Sequence, residues 1–381
     1  MKKRLICGVL GLVLASSMFM SCNKAGNSGS EIKIGMITPV TGAVSTYGVS
    51  AKEGAELAVK EINDKGGING KKIKLVVEDD EADQTKSVNA FNTLYDNEKV
   101  TAVLGPITSG ATLAVVPNAT QNKIPLLTPT ATAPNVTSVG GEYTFRVCFL
   151  DSYQGVTMAD FAVDDLKKKK AAVLYNVGSD YSKGVADAFK AEYEKKGGKV
   201  AQFLTYNDND KDFNAQLTKI KGDKPDVILL PDYYNVTGLI AKQARDLGID
   251  STFLGVDGWE STELTKIGGD AVNGSYYVNH YFAGDTDSAV KTFVDDYKKT
   301  YSKDPDAFAA LGYDGLNMLV NAIKKADSDD GEKIKDALKT IKLDGVTGKI
   351  SFNNERNAVK GSSIIKVENG KTVLAKKVEA K

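Results

Sequence analysis

The sequence predicts an α/β protein built as two doubly wound lobes, and three observations predict it. From Glu31 onward, short β-branched or apolar runs alternate with helix-like segments, the pattern of βαβ units and parallel sheets. That pattern runs twice, with four strand-and-helix units before Gly140 and four more after Lys170. The chain has 381 residues, of which 42% are hydrophobic and 26% charged. That is enough for two separate cores of about 100 residues or more each.

Taken in order, the chain opens with Lys2, Lys3 and Arg4, an apolar run over residues 5–14, and then Met20-Ser21-Cys22. This is the pattern of an export signal, residues 1–21, followed by a polar, flexible linker, residues 22–30. The apolar run is shorter than the roughly 20 residues a permanent membrane helix needs. Met20-Ser21-Cys22 resembles the lipobox of bacterial lipoproteins, although Phe19 stands where that pattern prefers Leu. The resemblance implies lipidation of Cys22 and anchoring to the outer face of a bacterial cell membrane. Once residues 1–21 are removed, Cys148 has only Cys22 as a companion, so no internal disulfide is expected.

Strands are expected in the first half at residues 32–38, 73–78, 102–104 and 124–128, and in the second at 171–175, 199–204, 227–230 and 252–255. Between them lie amphipathic helices. Ala51, Ala55, Ala58, Val59 and Ile62 share one helical face, as do Val290, Phe293, Val294, Tyr297 and Tyr301. Lys65-Gly66-Gly67 and Lys196-Gly197-Gly198 supply glycine at matching helix ends, where a left-handed cap is wanted. Strand-like runs at 349–352 and 362–367 suggest that the chain returns to complete both sheets. The lobes are therefore expected to be discontinuous: 31–148 plus 281–356, and 149–280 plus 357–381.

Lys plus Arg and Asp plus Glu both number 49, so there is no basic excess for nucleic acid. A single histidine, His280, leaves no imidazole pair for a zinc site and only one centre around which a hydrolytic triad could form. No phosphate-binding glycine loop and no metal-ligand cluster is present, so neither cofactor nor metal is expected.

What the sequence offers is hydroxyls, amides and aromatics at the carboxyl ends of strands, where open α/β sheets bind ligands. Ser109 opens a helix directly after the strand at 102–104, an anion site suited to a carboxylate. The following strand ends in the hydroxyl-rich segment Thr130-Ala131-Thr132. In the second half, Tyr181 and Asp257 follow strands, and Asp257 would pair with an ammonium group. Tyr47, Tyr181, Tyr233 and Trp259 could enclose an apolar side chain. Each of these residues also has a plain structural use as a cap, a turn or packing.

The run Lys33-Ile34-Gly35-Met36-Ile37-Thr38-Pro39-Val40-Thr41-Gly42, with Tyr47-Gly48, Glu61-Ile62-Asn63 and Gly66-Gly67-Ile68-Asn69-Gly70, resembles the extracytoplasmic solute-binding proteins of branched-chain amino acid ABC transporters. Gly105-Pro106 with Ser109, Asp180-Tyr181-Ser182, Ala244-Arg245 and Tyr313-Asp314-Gly315 extend the likeness almost to the C-terminus. It implies the type I periplasmic binding protein fold: two Rossmann-like lobes, three crossovers, a hinge and an interlobe ligand cleft. Carried over by position, Ser109, Thr130 and Thr132 would bind the α-carboxylate and amino group of an amino acid, near the backbone of Ala131. Tyr181 would bond the carboxylate from the second lobe, Asp257 would hold the ammonium, and Tyr47 and Tyr233 would stand in the pocket. The implied partners are an amino acid such as leucine, isoleucine or valine, and the permease and ATPase subunits of an importer. No enzymatic activity is implied. Asp257 replaces the longer Glu of the best-known members and Trp259 follows it closely, so another solute such as an amide stays open. A sensory receptor domain would share the same fold.

Overall fold

The computed structural model describes residues 31–139 and 141–380, so the expected export signal and linker, with Cys22, lie outside the described residues. The strands, in chain order, are β1 (Ile32–Thr38), β2 (Ile73–Asp79), β3 (Ala102–Leu104), β4 (Leu126–Thr128), β5 (Thr144–Arg146), β6 (Lys170–Asn176), β7 (Lys199–Tyr206), β8 (Val227–Leu229), β9 (Thr252–Gly255) and β10 (Tyr276–Asn279). After these come β11 (Lys342–Gly345), β12 (Gly348–Phe352), β13 (Ala358–Val359), β14 (Ser362–Glu368) and β15 (Lys371–Val378). One sheet has the order β2-β1-β3-β4-β5 and is parallel throughout. A second has the order β15-β14-β10-β9-β8-β6-β7, parallel from β10 to β7, with the antiparallel pair β14 and β15 at its edge.

Two separate parallel sheets, each with helices packed on it, are the doubly wound arrangement the alternating pattern predicts. The inner strands carry it: β3, β4, β8 and β9 are apolar runs buried on both faces. The paired glycines also behave as read. The amide of Gly67 bonds the carbonyl of Ile62 and that of Gly198 bonds the carbonyl of Tyr193, both at 2.9 Å, closing the two helix ends in the same way.

The C-terminal third corrects one expectation. The segment 362–367 does join a sheet, as β14 beside β10. The segment 349–352 does not complete the first sheet: as β12 it pairs with β11 and β13 in a small antiparallel sheet of its own. The physical reason is local, since only Val346 and Thr347 separate β11 from β12 and a tight hairpin pairs them with each other. The hairpin between β14 and β15 turns at Asn369-Gly370, with φ of 51° and 74°, the left-handed pair that Asn-Gly supplies.

One helix contact matters for the site. Helix Ser45–Asp64 crosses helix Ala307–Ala326 with the backbones touching: a Cβ on Gly54 would fall 1.9 Å from the carbonyl oxygen of Ala309, and one on Gly312 would fall 2.1 Å from that of Ala51. Only glycine permits that approach. It brings Tyr47 and Phe308, near the starts of the two helices, into a stack with ring centroids 4.1 Å apart.

Candidate functional site

The carboxyl ends of β3 and β4 lead into two loops that are bonded to each other. Thr128 Oγ1 donates to the Pro106 carbonyl at 2.7 Å and accepts from the Ala131 amide at 3.0 Å. Thr130 Oγ1 donates to the Ile107 carbonyl at 2.5 Å, and Ser109 Oγ accepts from the Ala133 amide at 3.1 Å. Beneath them lies Arg146, at the end of β5 and fully buried. Its guanidinium donates to the carbonyls of Ala131 and Ala133, each at 2.8 Å, and of Pro134 at 3.4 Å. Ser109 is the first residue of helix Ser109–Gln121, so the leading amides of that helix, beside the cavity that Ser109 lines, have no intrahelical acceptors.

The opposite wall comes from the second sheet. Asp257 follows β9 and is buried; its Oδ1 accepts from the Tyr181 hydroxyl at 2.7 Å, and its Oδ2 lies 3.1 Å from Nε2 of His280. The Asp257 amide donates to Oε1 of Gln154 at 2.9 Å, and the Gly258 amide donates to the Tyr181 oxygen at 3.0 Å. Tyr233 stacks on Tyr181 with centroids 5.3 Å apart. From the first side, the Tyr47 hydroxyl donates to the Gly258 carbonyl. Burial pushes the phenols of Tyr47, Tyr181 and Tyr233 well above their ordinary range, so all three stay protonated.

These residues enclose one cavity of about 20 Å³, lined by Tyr47, Ser109, Thr130, Thr132, Tyr181, Tyr233 and Asp257 together with Ile107, Thr108, Gly258 and Phe308. Seven of the nine residues singled out in the sequence therefore meet around a single space. Ala131 and Trp259 do not line it. The amide and carbonyl of Ala131 are engaged by Thr128 and Arg146. Trp259 is fully buried, its Nε1 donating to the Leu230 carbonyl at 3.0 Å, and its indole lies where a Cβ on Gly255 would stand. It is core, not pocket wall.

The sequence reading missed Phe308, which the glycine-mediated helix crossing delivers, and Arg146, whose strand is three residues long. The polar groups are hydroxyls and amides, which can donate, and one carboxylate, which accepts. Among the described residues no cluster of His, Cys, Asp and Glu could hold a metal ion. At one end stand helix amides and hydroxyls, at the other a carboxylate, and between them apolar and aromatic rings. The lining matches a small solute that is anionic at one end, cationic at the other and apolar in its side chain, and the space of about 20 Å³, little more than a water needs, must widen to admit it.

Two α/β lobes, each built on its own sheet, that meet around one cavity define a two-lobed solute-binding protein. The chain belongs to the periplasmic binding protein family, whose sequence profile matches residues 31–371. It is 35% identical to a Leu/Ile/Val-binding protein of Rhizobium johnstonii, over 95% of this chain and 98% of that one. It is 32% identical to a leucine-, isoleucine-, valine-, threonine- and alanine-binding protein of Pseudomonas aeruginosa, over 90% of each. Among solved structures, it superposes with a TM-score of 0.87 on the branched-chain amino acid transporter substrate-binding protein LivJ of Streptococcus pneumoniae in complex with isoleucine. There the identity is 37%, covering 92% of this chain and all of that one.

Proposed function

We propose that this protein captures an α-amino acid between lobes 31–148 plus 281–356 and 149–280 plus 357–381, and delivers it to the membrane subunits of an ABC importer. One observation carries the reading: Ser109 with its helix amides and Asp257 stand at opposite walls of one cavity, matching the two charges of a zwitterion. Ser109, Thr130 and Thr132 bind the α-carboxylate and amino group between them, Asp257 receives the ammonium, and Tyr47, Tyr233 and Phe308 contact the side chain. The isoleucine complex of a 37% identical protein and the names of the relatives favour a branched-chain ligand. Ligand enters with the lobes parted, and closure joins Tyr47 to Gly258 over it.

No bond is made or broken in this role. Cys22 carries the lipid that holds the protein to the outer face of the cell membrane, and the closed pair of lobes is the form that docks on the permease. Two measurements test these points. Thermal denaturation of the ligand-stripped chain lacking residues 1–21, against each common amino acid, is expected to show stabilisation by isoleucine, leucine or valine; no shift with any amino acid overturns the ligand class. Mass spectrometry of the mature N-terminus in its native host is expected to find acylated Cys22, and an unmodified Cys22 overturns the anchor.

A further inference from the structure

His280 is the chain's single histidine and sits just beyond β10, where the chain leaves the seven-stranded sheet. It is buried, with 5% of its surface exposed. Its ring stacks on Phe149, in the crossover that follows β5, with centroids 3.5 Å apart and planes 18° from parallel. The backbone amide of His280 donates to Oδ1 of Asn279 at 2.8 Å, which fixes the peptide that carries the ring.

The two ring nitrogens have different surroundings. Nε2 lies 3.1 Å from Oδ2 of Asp257, whereas Nδ1 is buried with no hydrogen-bond partner among the described residues. A proton on Nδ1 would leave a buried donor unpaired and would turn the Nε2 lone pair toward a carboxylate oxygen; a proton on Nε2 avoids both costs. Desolvation, with Lys360 adding repulsion, holds the imidazole down to about 4 despite the neighbouring carboxylate, so the ring is neutral. Nδ1 also has no serine or cysteine bonded to it, so the pair does not extend into a nucleophile relay.

Asp257 is thus held at one oxygen by the Tyr181 hydroxyl and at the other by an uncharged imidazole. Among the described residues His280 is its one partner at ion-pair distance, so no protein cation cancels the carboxylate. Resting on the reading of Asp257 as the ammonium acceptor, we propose that His280 is the positioning residue of that acceptor, donating Nε2–H to Oδ2 so that Asp257 keeps one orientation and an uncompensated charge for the ligand. Tyr181, Asp257 and His280 follow β6, β9 and β10 of the second sheet, so a single lobe carries the whole grip.

The test uses the full mature chain with isoleucine as probe, and the variants His280→Phe and His280→Gln. Phe keeps a ring on Phe149 and removes the donor; Gln returns a donor at the place of Nε2. His280→Phe is expected to weaken isoleucine binding by about 10- to 100-fold, the range for a hydrogen bond to a charged group, and His280→Gln to recover most of it. In an Asp257→Asn background the His280→Phe effect is expected to shrink to less than about threefold, because the two changes act through one interaction. Equal binding by His280→Phe and wild type, or a loss that Gln does not recover, overturns the proposal. Imidazole nitrogen resonances give an independent readout, unambiguous with one histidine: the Nε2–H tautomer is expected between about pH 5 and 8, and an Nδ1–H tautomer overturns the proposal. If wild type binds no amino acid, the ligand reading fails, while the tautomer still decides the role of His280.

Discussion

The hydroxyl of Tyr47, near the start of the helix that covers the first sheet, donates to the carbonyl of Gly258, beyond β9 of the second. That bond joins the two halves of the molecule over the cavity, and the Tyr234 hydroxyl adds another by donating to the Ala43 carbonyl at 3.1 Å. The Tyr47 oxygen also accepts from the Tyr234 amide at 3.4 Å, and the Tyr47 ring is held on its other side by Phe308. Tyr47 thus issues from the first lobe and reaches the second both by hydrogen bonding and by edge-on packing on Tyr233 and Tyr234, with centroids 5.7 and 5.2 Å away, which is the arrangement a closing contact requires.

Replacing Tyr47 with Phe keeps the stack on Phe308 and removes the Tyr47 bond across the cleft. The expected result is about fivefold weaker ligand binding, the net worth of one neutral hydrogen bond, arising mainly in faster dissociation. Stopped-flow release of ligand measures it, and an unchanged off-rate would show that closure does not depend on this contact.

Asp257→Ala removes the carboxylate and leaves the Tyr181 hydroxyl and His280 facing an empty place. Amino acid affinity is expected to fall by more than about 100-fold, at the scale of breaking a buried ion pair. Titration calorimetry reads the change; affinity within a few-fold of wild type would sink the ammonium assignment.

Arg146 acts on stability before it acts on binding. Its guanidinium is fully buried and satisfies three carbonyls of the loop that carries Thr132. Arg146→Met fills similar space but orphans those acceptors, for an expected loss of about 2–4 kcal/mol in urea denaturation. A loss below about 0.5 kcal/mol would mean that water or a rearranged loop replaces the guanidinium.

Glu260 gives the pH dependence a definite sign. Its Oε2 accepts from the Tyr277 hydroxyl at 2.5 Å and its Oε1 faces the Ala307 amide at 3.4 Å, with Asp306 and Asn279 close by. Desolvation first, and the Asp306 charge second, push its carboxyl from 4.5 up to about 7. A raised carboxyl favours the folded state when protonated. Its destabilising effect is therefore absent below the unfolded value of 4.5, grows as pH rises to about 7, and is constant above that. Glu260→Gln is expected to raise the melting temperature at about pH 8 more than at about pH 5; scanning calorimetry at the two pH values checks it, and equal shifts contradict the assignment.

Much of the fold could be read from the chain because buried parallel strands announce themselves: the runs 102–104 and 252–255 coincide with β3 and β9. The cavity wall was legible for the same reason, since Ser109, Thr130, Thr132, Tyr181 and Asp257 all follow strand ends. Phe308 was not, because it arrives through a helix crossing that depends on Gly54 and Gly312, glycines whose partners are more than two hundred residues away. Trp259 looked like a pocket wall because an aromatic after a strand often is one. The telling signal was Gly255, whose missing side chain makes the slot the indole fills. The segment 349–352 has strand composition, but composition does not name a partner, and the nearest one, β11, wins.

The central claim is that one cavity recognises both charges of an amino acid. Calorimetric titration of the ligand-stripped protein with isoleucine, with its decarboxylated amine and with its deaminated acid tests it most directly. The account predicts saturable one-to-one binding of isoleucine and at least about 100-fold weaker binding of each analogue, because each leaves one wall of the cavity without its partner. Analogue affinities within a few-fold of isoleucine, or binding of neither isoleucine nor any other amino acid, would contradict it.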